Sequence, residues 1–202
     1  MHYILRPKKS PSDGLFLSSI PPLFFAGPVR GGDDWQSIAF SRLRHLLPSF
    51  CAVIPIPDDA ERLGMLSYGK NHLLARHFIG LDHGDFDRQL NWERHFMRYA
   101  ALHGCLIFWL PAESTTNPRP EGYFGRDTMG ELGEWRGRLF ENSQRRANVM
   151  RGYRVVIGGE PGFPGFDTIE RNFKLALGNQ FPIYPTLDET LEAAVALLQG
   201  GK

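Results

Sequence analysis

The chain predicts an α/β fold: a flavodoxin-like or Rossmann-like three-layer sandwich on a five-stranded, mostly parallel sheet. Three observations carry this. Five short apolar runs alternate with segments of helical spacing, the pattern of βαβ units. The runs are apolar throughout rather than every second residue, as in strands covered on both faces. Right-handed crossovers then leave few topologies, of which the order 2-1-3-4-5 fits best.

The predicted strands are Leu23 to Ala26, Cys51 to Ile56, Cys105 to Leu110, Tyr153 to Ile157 and a short Pro182 to Tyr184. The first helix follows Asp33, with Trp35, Ile38, Ala39 and Leu43 inward and Gln36 three residues after the predicted cap. A second spans Phe86 to His103, with Leu90, Phe96, Met97, Ala100 and Ala101 inward. A third begins near Thr128. A fourth covers Thr168 to Leu177 and stops at Gly178. The last opens with the capping box Thr186-Leu187-Asp188-Glu189 and carries Leu191, Ala194, Val195 and Leu198.

Residues 1–22 fall outside this rhythm and read as an N-terminal extension. Within it, Tyr3 to Arg6 and Leu15 to Ser18 form a hairpin-like pair around Pro11-Ser12-Asp13-Gly14. Residues 23–202 form the main domain. Within them, 58–85 is a polar, His- and Arg-rich insertion, read either as a lid over the C-terminal edge of the sheet or as an ordinary surface excursion.

Composition narrows the classes. The chain has 202 residues, 42% of them hydrophobic, which argues for a packed core. A formal net charge of +1 argues against a general nucleic-acid binder. No apolar run approaches the ~20 residues that span a bilayer. The N-terminus lacks the charged head and apolar body of a secretory signal. The two cysteines, Cys51 and Cys105, sit in or beside apolar runs and read as reduced, buried thiols in a cytoplasmic protein. The seven histidines form no metal-binding pattern, so neither metal nor cofactor is expected.

Three motifs carry chemistry. The first strand ends Phe24-Phe25-Ala26-Gly27-Pro28 and runs into Val29-Arg30-Gly31-Gly32-Asp33-Asp34-Trp35. The second is Gln89-Leu90-Asn91-Trp92-Glu93, on the helix leading to Leu106-Ile107-Phe108-Trp109-Leu110-Pro111. The third is Thr128-Met129-Gly130-Glu131-Leu132-Gly133, soon after that strand. It suggests a carboxylate at a helix start beyond the C-terminal end of a buried strand, where open α/β sheets hold their ligands. The glycine-rich first loop is not Gly-x-Gly-x-x-Gly, and its two aspartates would repel a pyrophosphate.

In order and spacing these motifs resemble the nucleoside 2-deoxyribosyltransferase family and its wider group of nucleoside and nucleotide N-glycosidases. The resemblance spans roughly Leu23 to Leu198. It implies that Glu131 attacks the anomeric carbon of a pentose, and that Glu93 and Asp127 hold or protonate the leaving base. Such chemistry has a physical basis. Breaking an N-glycosidic bond builds positive charge on the sugar, and a carboxylate can stabilise that charge or capture it as an ester. A helix N-terminus would keep the attacking group ionised at neutral pH. The resemblance also implies a nucleoside or nucleotide as the small-molecule partner, and a homodimer or higher homo-oligomer.

Bland readings stand beside each of these. Thr128-x-x-Glu131 is itself a capping box. Glu93 fits a solvated helix face, and Asp127 a helix-start charge. Arg30 could meet a 5′-phosphate and Asp34 a ribose hydroxyl, or both could belong to an ordinary turn-rich loop. Phe25, Trp92, Trp109 and Tyr123 could stack on a base or pack in the core. Gly130 and Gly133 lack side chains that would crowd a sugar, and Gly27, Pro28 and Thr128 are further candidate substrate contacts. Transfer to a second base and hydrolysis share one half-reaction and are not distinguished. The alternative function is a nucleotide-binding or sensing module without turnover.

Overall fold

The structure, a computed structural model, describes residues 2–5, 20–55, 78–79, 86–119, 121–144 and 152–200, and for 2–5, 78–79 and 86–92 the backbone alone. Among these residues six strands are present: β1 (His2–Leu5), β2 (Pro22–Ala26), β3 (Phe50–Val53), β4 (Phe78–Ile79), β5 (Cys105–Leu110) and β6 (Val155–Gly159). They form one sheet in the order β4-β1-β3-β2-β5-β6, with every pairing parallel. Five helices accompany them: α1 (Trp35–Leu46), α2 (Phe86–His103), α3 (Arg126–Gln144), α4 (Phe166–Leu177) and α5 (Leu187–Leu198).

The central strands β3, β2, β5 and β6 are buried along their whole length, because helices cover both faces. Alternate residues feed two separate cores. On one face Leu23, Phe25, Ala52, Cys105, Ile107 and Trp109 pack against α1 and α5. On the other, Phe24, Ala26, Cys51, Val53, Leu106 and Phe108 pack against α2, α3 and α4. The expected three layers and the strand order β3-β2-β5-β6 are therefore present.

The fifth predicted strand is not. Tyr184 makes only a parallel bridge to Gly158, with Tyr184 N donating to Ile157 O (3.0 Å) and Gly159 N donating to Tyr184 O (2.9 Å). Only five residues then separate Gly178, which ends α4, from this bridge, too few for a longer ladder before Thr186 caps α5. The predicted N-terminal strand segment is realised as β1, but it pairs in parallel with β3 and β4 rather than in a hairpin. Its expected partner, Leu15 to Ser18, lies outside the described residues, as does almost all of the 58–85 insertion.

Three local expectations shift. Helix α1 is capped by Asp34, whose side chain accepts from Ser37 N at 3.2 Å, so the Asp33/Gln36 capping box is not made. Ile38, expected inward, is 45% exposed, while Gln36 is buried. Helix α3 starts at Arg126, two residues early, because Gly125 turns the chain with φ +70° and accepts from Met129 N at 2.9 Å. Strand β6 begins at Val155 rather than Tyr153; the Tyr153 ring instead packs edge-on against Trp135.

Candidate active site

Three described loops leave the C-terminal edge of β2, β5 and β6: 27–34 after β2, 111–125 after β5 and 160–165 after β6. The chain leaves β2 toward β3 and β5 toward β6, in opposite directions, with α1 on one face and α3 on the other. The loops after β2 and β5 thus flank a topological switch point, where open parallel sheets take ligands.

These loops are braced. Trp35 Nε1 donates to Pro28 O at 3.1 Å, and Ser114 N donates to Gly31 O at 2.7 Å. Arg119 staples its own turn, donating to Glu121 O (2.6 Å) and Tyr123 O (3.0 Å). Glu160 accepts from Ala112 N at 2.7 Å, tying the end of β6 to that of β5. Gly27 is required where it stands: its φ is +154°, and a Cβ there would lie 2.3 Å from Trp109 O.

Helices α2 and α3 both start at this edge, because each runs back over the sheet to a parallel strand. Residues Asp127, Glu131, Glu134 and Arg138 recur at i, i+4, i+7 and i+11, one stripe along α3. Leu132 and Trp135 beside the stripe anchor the helix in the core. Arg138 donates to Glu134 Oε1 through Nη2 (2.7 Å) and Nε (3.0 Å) and lies 5.7 Å from the centre of the Trp135 ring. From α2, Arg94 Nε reaches Glu134 Oε2 at 3.9 Å. Arg126 Nε lies 3.5 Å from Asp127 Oδ1 at the helix start.

Glu131 sits within this group and is partly buried. Burial is the main force pushing its carboxyl up to about 8; the charges of Glu93, Asp127 and Glu134 add to it, and Arg94 opposes them. The structure thus brings together Glu131, Asp127 and Glu93, the three carboxylates singled out in the sequence. It corrects the expected ionisation. Glu131 is the sixth residue of α3, beyond the first turn where the helix dipole acts, so desolvation wins and neutral pH favours the protonated form. Thr128 is no cap either: it is buried inside the helix, 4% exposed. That removes the capping-box reading of Glu131.

Other predicted site residues divide. Gly130 is open, with nothing within 4 Å of a notional Cβ. Arg30 is exposed on the first loop, while Gly27 and Pro28 are buried beneath it. Asp34 lies at the same edge but spends an oxygen on the α1 cap. Phe25 and Trp109 are core residues, 0% and 3% exposed, on the α1/α5 face of the sheet. The period of two along a strand turns them away from Glu131, so neither walls its site. Tyr123 is 82% exposed on the loop before α3. The side chain of Trp92 lies outside the described residues.

Glu134, Arg94 and Arg138 were missed. The 127/131/134/138 spacing and the i,i+4 Glu–Arg pair could have revealed Glu134 and Arg138; Arg94 depends on which faces α2 and α3 share. Among the described residues, no three His, Cys, Asp or Glu side chains are grouped to hold a metal ion. A shallow depression of about 280 Å³ along α4, lined by Asp167, Glu170, Arg171, Lys174, Leu175 and Asn179, contains none of these groups. Comparisons with family models, curated proteins and solved structures find no match for this chain.

Proposed function

We propose that this protein cleaves, or transfers at, the N-glycosidic bond of a nucleoside or nucleotide, with Glu131 as nucleophile. The observation that carries the reading is the meeting of Glu131 with Glu93 and Asp127 on two helices that start beside the switch point. A carboxyl desolvated among other carboxylates is costly to ionise while the site is empty. It gains most when a sugar in contact with it becomes cationic, which is the charge change of N-glycosidic cleavage.

The Glu131 carboxylate forms an ester bond to C1′ while the C1′–N bond breaks and its electron pair leaves with the base. Asp127 or Glu93 passes the proton displaced from Glu131 to the departing nitrogen. Water or a second base then attacks C1′, the ester electrons return to Glu131, and the acceptor's proton passes to the carboxylate that gave one up. Arg30, exposed on the loop after β2, is suited to a 5′-phosphate if the substrate is a nucleotide.

The test is base release, followed by chromatography, from a panel of ribo- and deoxyribonucleosides and their 5′-monophosphates. Wild type should release base from at least one, and Glu131→Ala should be slower by about 10³-fold or more. A mass increase of one glycosyl group on wild type, absent in Glu131→Ala, would identify the ester. Ligand binding with no base released by wild type across the panel would favour a sensing module instead.

A further inference from the structure

Gln36 is the second residue of α1, at the end of that helix nearest loop 27–34. It shares the inward face with Ala39, Phe40 and Leu43 and is 1% exposed. The capping box expected of Asp33 and Gln36 is not made, because Asp34 caps the helix. Nε2 of Gln36 is a buried donor without an acceptor; among the described residues no other buried side-chain nitrogen or oxygen is in that state. Its backbone N–H is in the same position. Trp35 N donates to Asp33 O (2.7 Å), Ser37 N to Asp34 Oδ1 (3.2 Å) and Ile38 N to Asp34 O (3.4 Å), whereas no described residue supplies an acceptor for Gln36 N. Two donors of one residue thus lie out of water without partners. Native proteins rarely leave even one, since each forfeits a full desolvation cost.

Side chains on an α-helix lean toward its N-terminus. The Gln36 amide therefore reaches past the first turn of α1, toward the C-terminal end of β2 and the loop that leaves it. What is missing there is an oxygen able to accept two hydrogen bonds. Its chemistry follows from the residues at the helix start, Asp33 and Asp34, of which Asp33 is exposed. Their carboxylates oppose an anion, and equally a carbonyl, which offers only lone pairs. A hydroxyl suits both sides: its oxygen accepts from Gln36 and its proton is donated to a carboxylate. We propose that Gln36 is a specificity-determining residue that holds one ring hydroxyl of a pentose through Nε2 and its backbone N–H, with Asp33 accepting from that hydroxyl. This rests on the reading above for its ligand class, a nucleoside or nucleotide, but not on turnover. An analogue lacking the hydroxyl leaves two buried donors unpaired and is rejected for that reason.

The measurement is calorimetric binding of the common ribonucleosides and their 5′-monophosphates, each beside its 2′-deoxy and 3′-deoxy analogue. It is made in Glu131→Ala, so that turnover consumes no ligand. Loss of one of the two ring hydroxyls should weaken binding about tenfold or more while Gln36 is present. With Gln36→Met added, parent and analogue should bind within about twofold of each other. Without ligand, the protein carrying Gln36→Met should melt about 2 °C or more above the one without it, since it removes a donor that has no acceptor. If Gln36→Met does not fold, Gln36→Leu serves in its place. The proposal is overturned if Gln36→Met keeps the preference for the hydroxyl, if neither ring hydroxyl matters with Gln36 present, or if nothing in the panel binds. It is also overturned if the ligand-free variant melts lower, which would mean that the amide already has a partner such as a trapped water. An unchanged preference beside base release by wild type leaves the enzymatic reading intact. A lost preference in a protein that releases no base upholds Gln36 and removes only turnover.

Discussion

The carboxyl of Glu131 is held near 8, against an ordinary 4.5, and the sign of that difference fixes how stability depends on pH. Below pH 4.5 both folded and unfolded chains carry the proton. Between 4.5 and about 8 the folded state keeps it while the unfolded state has lost it, so stability falls as pH rises through this window. Above about 8 the loss is complete. Replacing Glu131 by Gln removes the titration and keeps the shape. A fully buried group would give a ceiling of about 5 kcal/mol for such a difference, and the partial exposure of Glu131 reduces this to about 2 kcal/mol. Glu131→Gln should thus match wild type at pH 4 and exceed it at pH 9 by about 4–8 °C in Tm. Thermal unfolding followed by circular dichroism at intervals between those limits is the check. Curves for the two proteins that run parallel would mean the carboxyl is not destabilised by folding. On the proposed reading, catalysis and stability pull in opposite directions at this position, as they commonly do where a site stores unfavourable electrostatics.

At the scale of single elements, helix α1 is capped one residue later than its sequence suggests. Asp34 rather than Asp33 satisfies Ser37 N. Asp34→Ala should cost about 1 kcal/mol, seen as a lower urea midpoint with an unchanged slope, whereas Asp34→Asn should be nearly neutral because its side chain can still accept. Equal losses in both variants would show that charge, and not the cap, is what matters there. The ends of elements were the least legible part of the sequence, for a physical reason. Asp33 and Asp34 are chemically identical, and the choice between them depends on how loop 27–34 is braced, locally by Trp35 on Pro28 and by the Ser114–Gly31 contact, which is distant along the chain. Strands β2, β3 and β5 and the span of α2 were legible because burial on both faces leaves continuous apolar runs, and because an 18-residue amphipathic segment has few alternatives. The carboxylate trio was legible from motif order. Arg94 was not, since only the placement of α2 beside α3 makes it a neighbour of Glu134.

For the whole molecule, the two cysteines offer one probe in each core. Cys51 lies in β3 among the side chains packed on α2, α3 and α4, and Cys105 lies in β5 among those packed on α1 and α5. Both thiols are pushed up to about 12, chiefly by burial. A thiol reacts as its thiolate, and access to reagent also requires exposure, so neither should react in the native state at pH 8 on a timescale of minutes. Strand β2 joins the two faces: Leu23 and Phe25 point into one core, and Phe24 and Ala26 into the other. Opening one core without disturbing the other would leave half of that strand's side chains unpacked. The two thiols should therefore become reactive together, with the same dependence on urea and along the same curve as loss of helical circular dichroism. Mass spectrometry after brief labelling with a thiol reagent reads them separately. Labelling of Cys105 well before Cys51, at urea concentrations where the helical signal is intact, would show that the α1/α5 layer opens as its own unit. The site on α2 and α3 would then rest on a core that persists without the opposite layer.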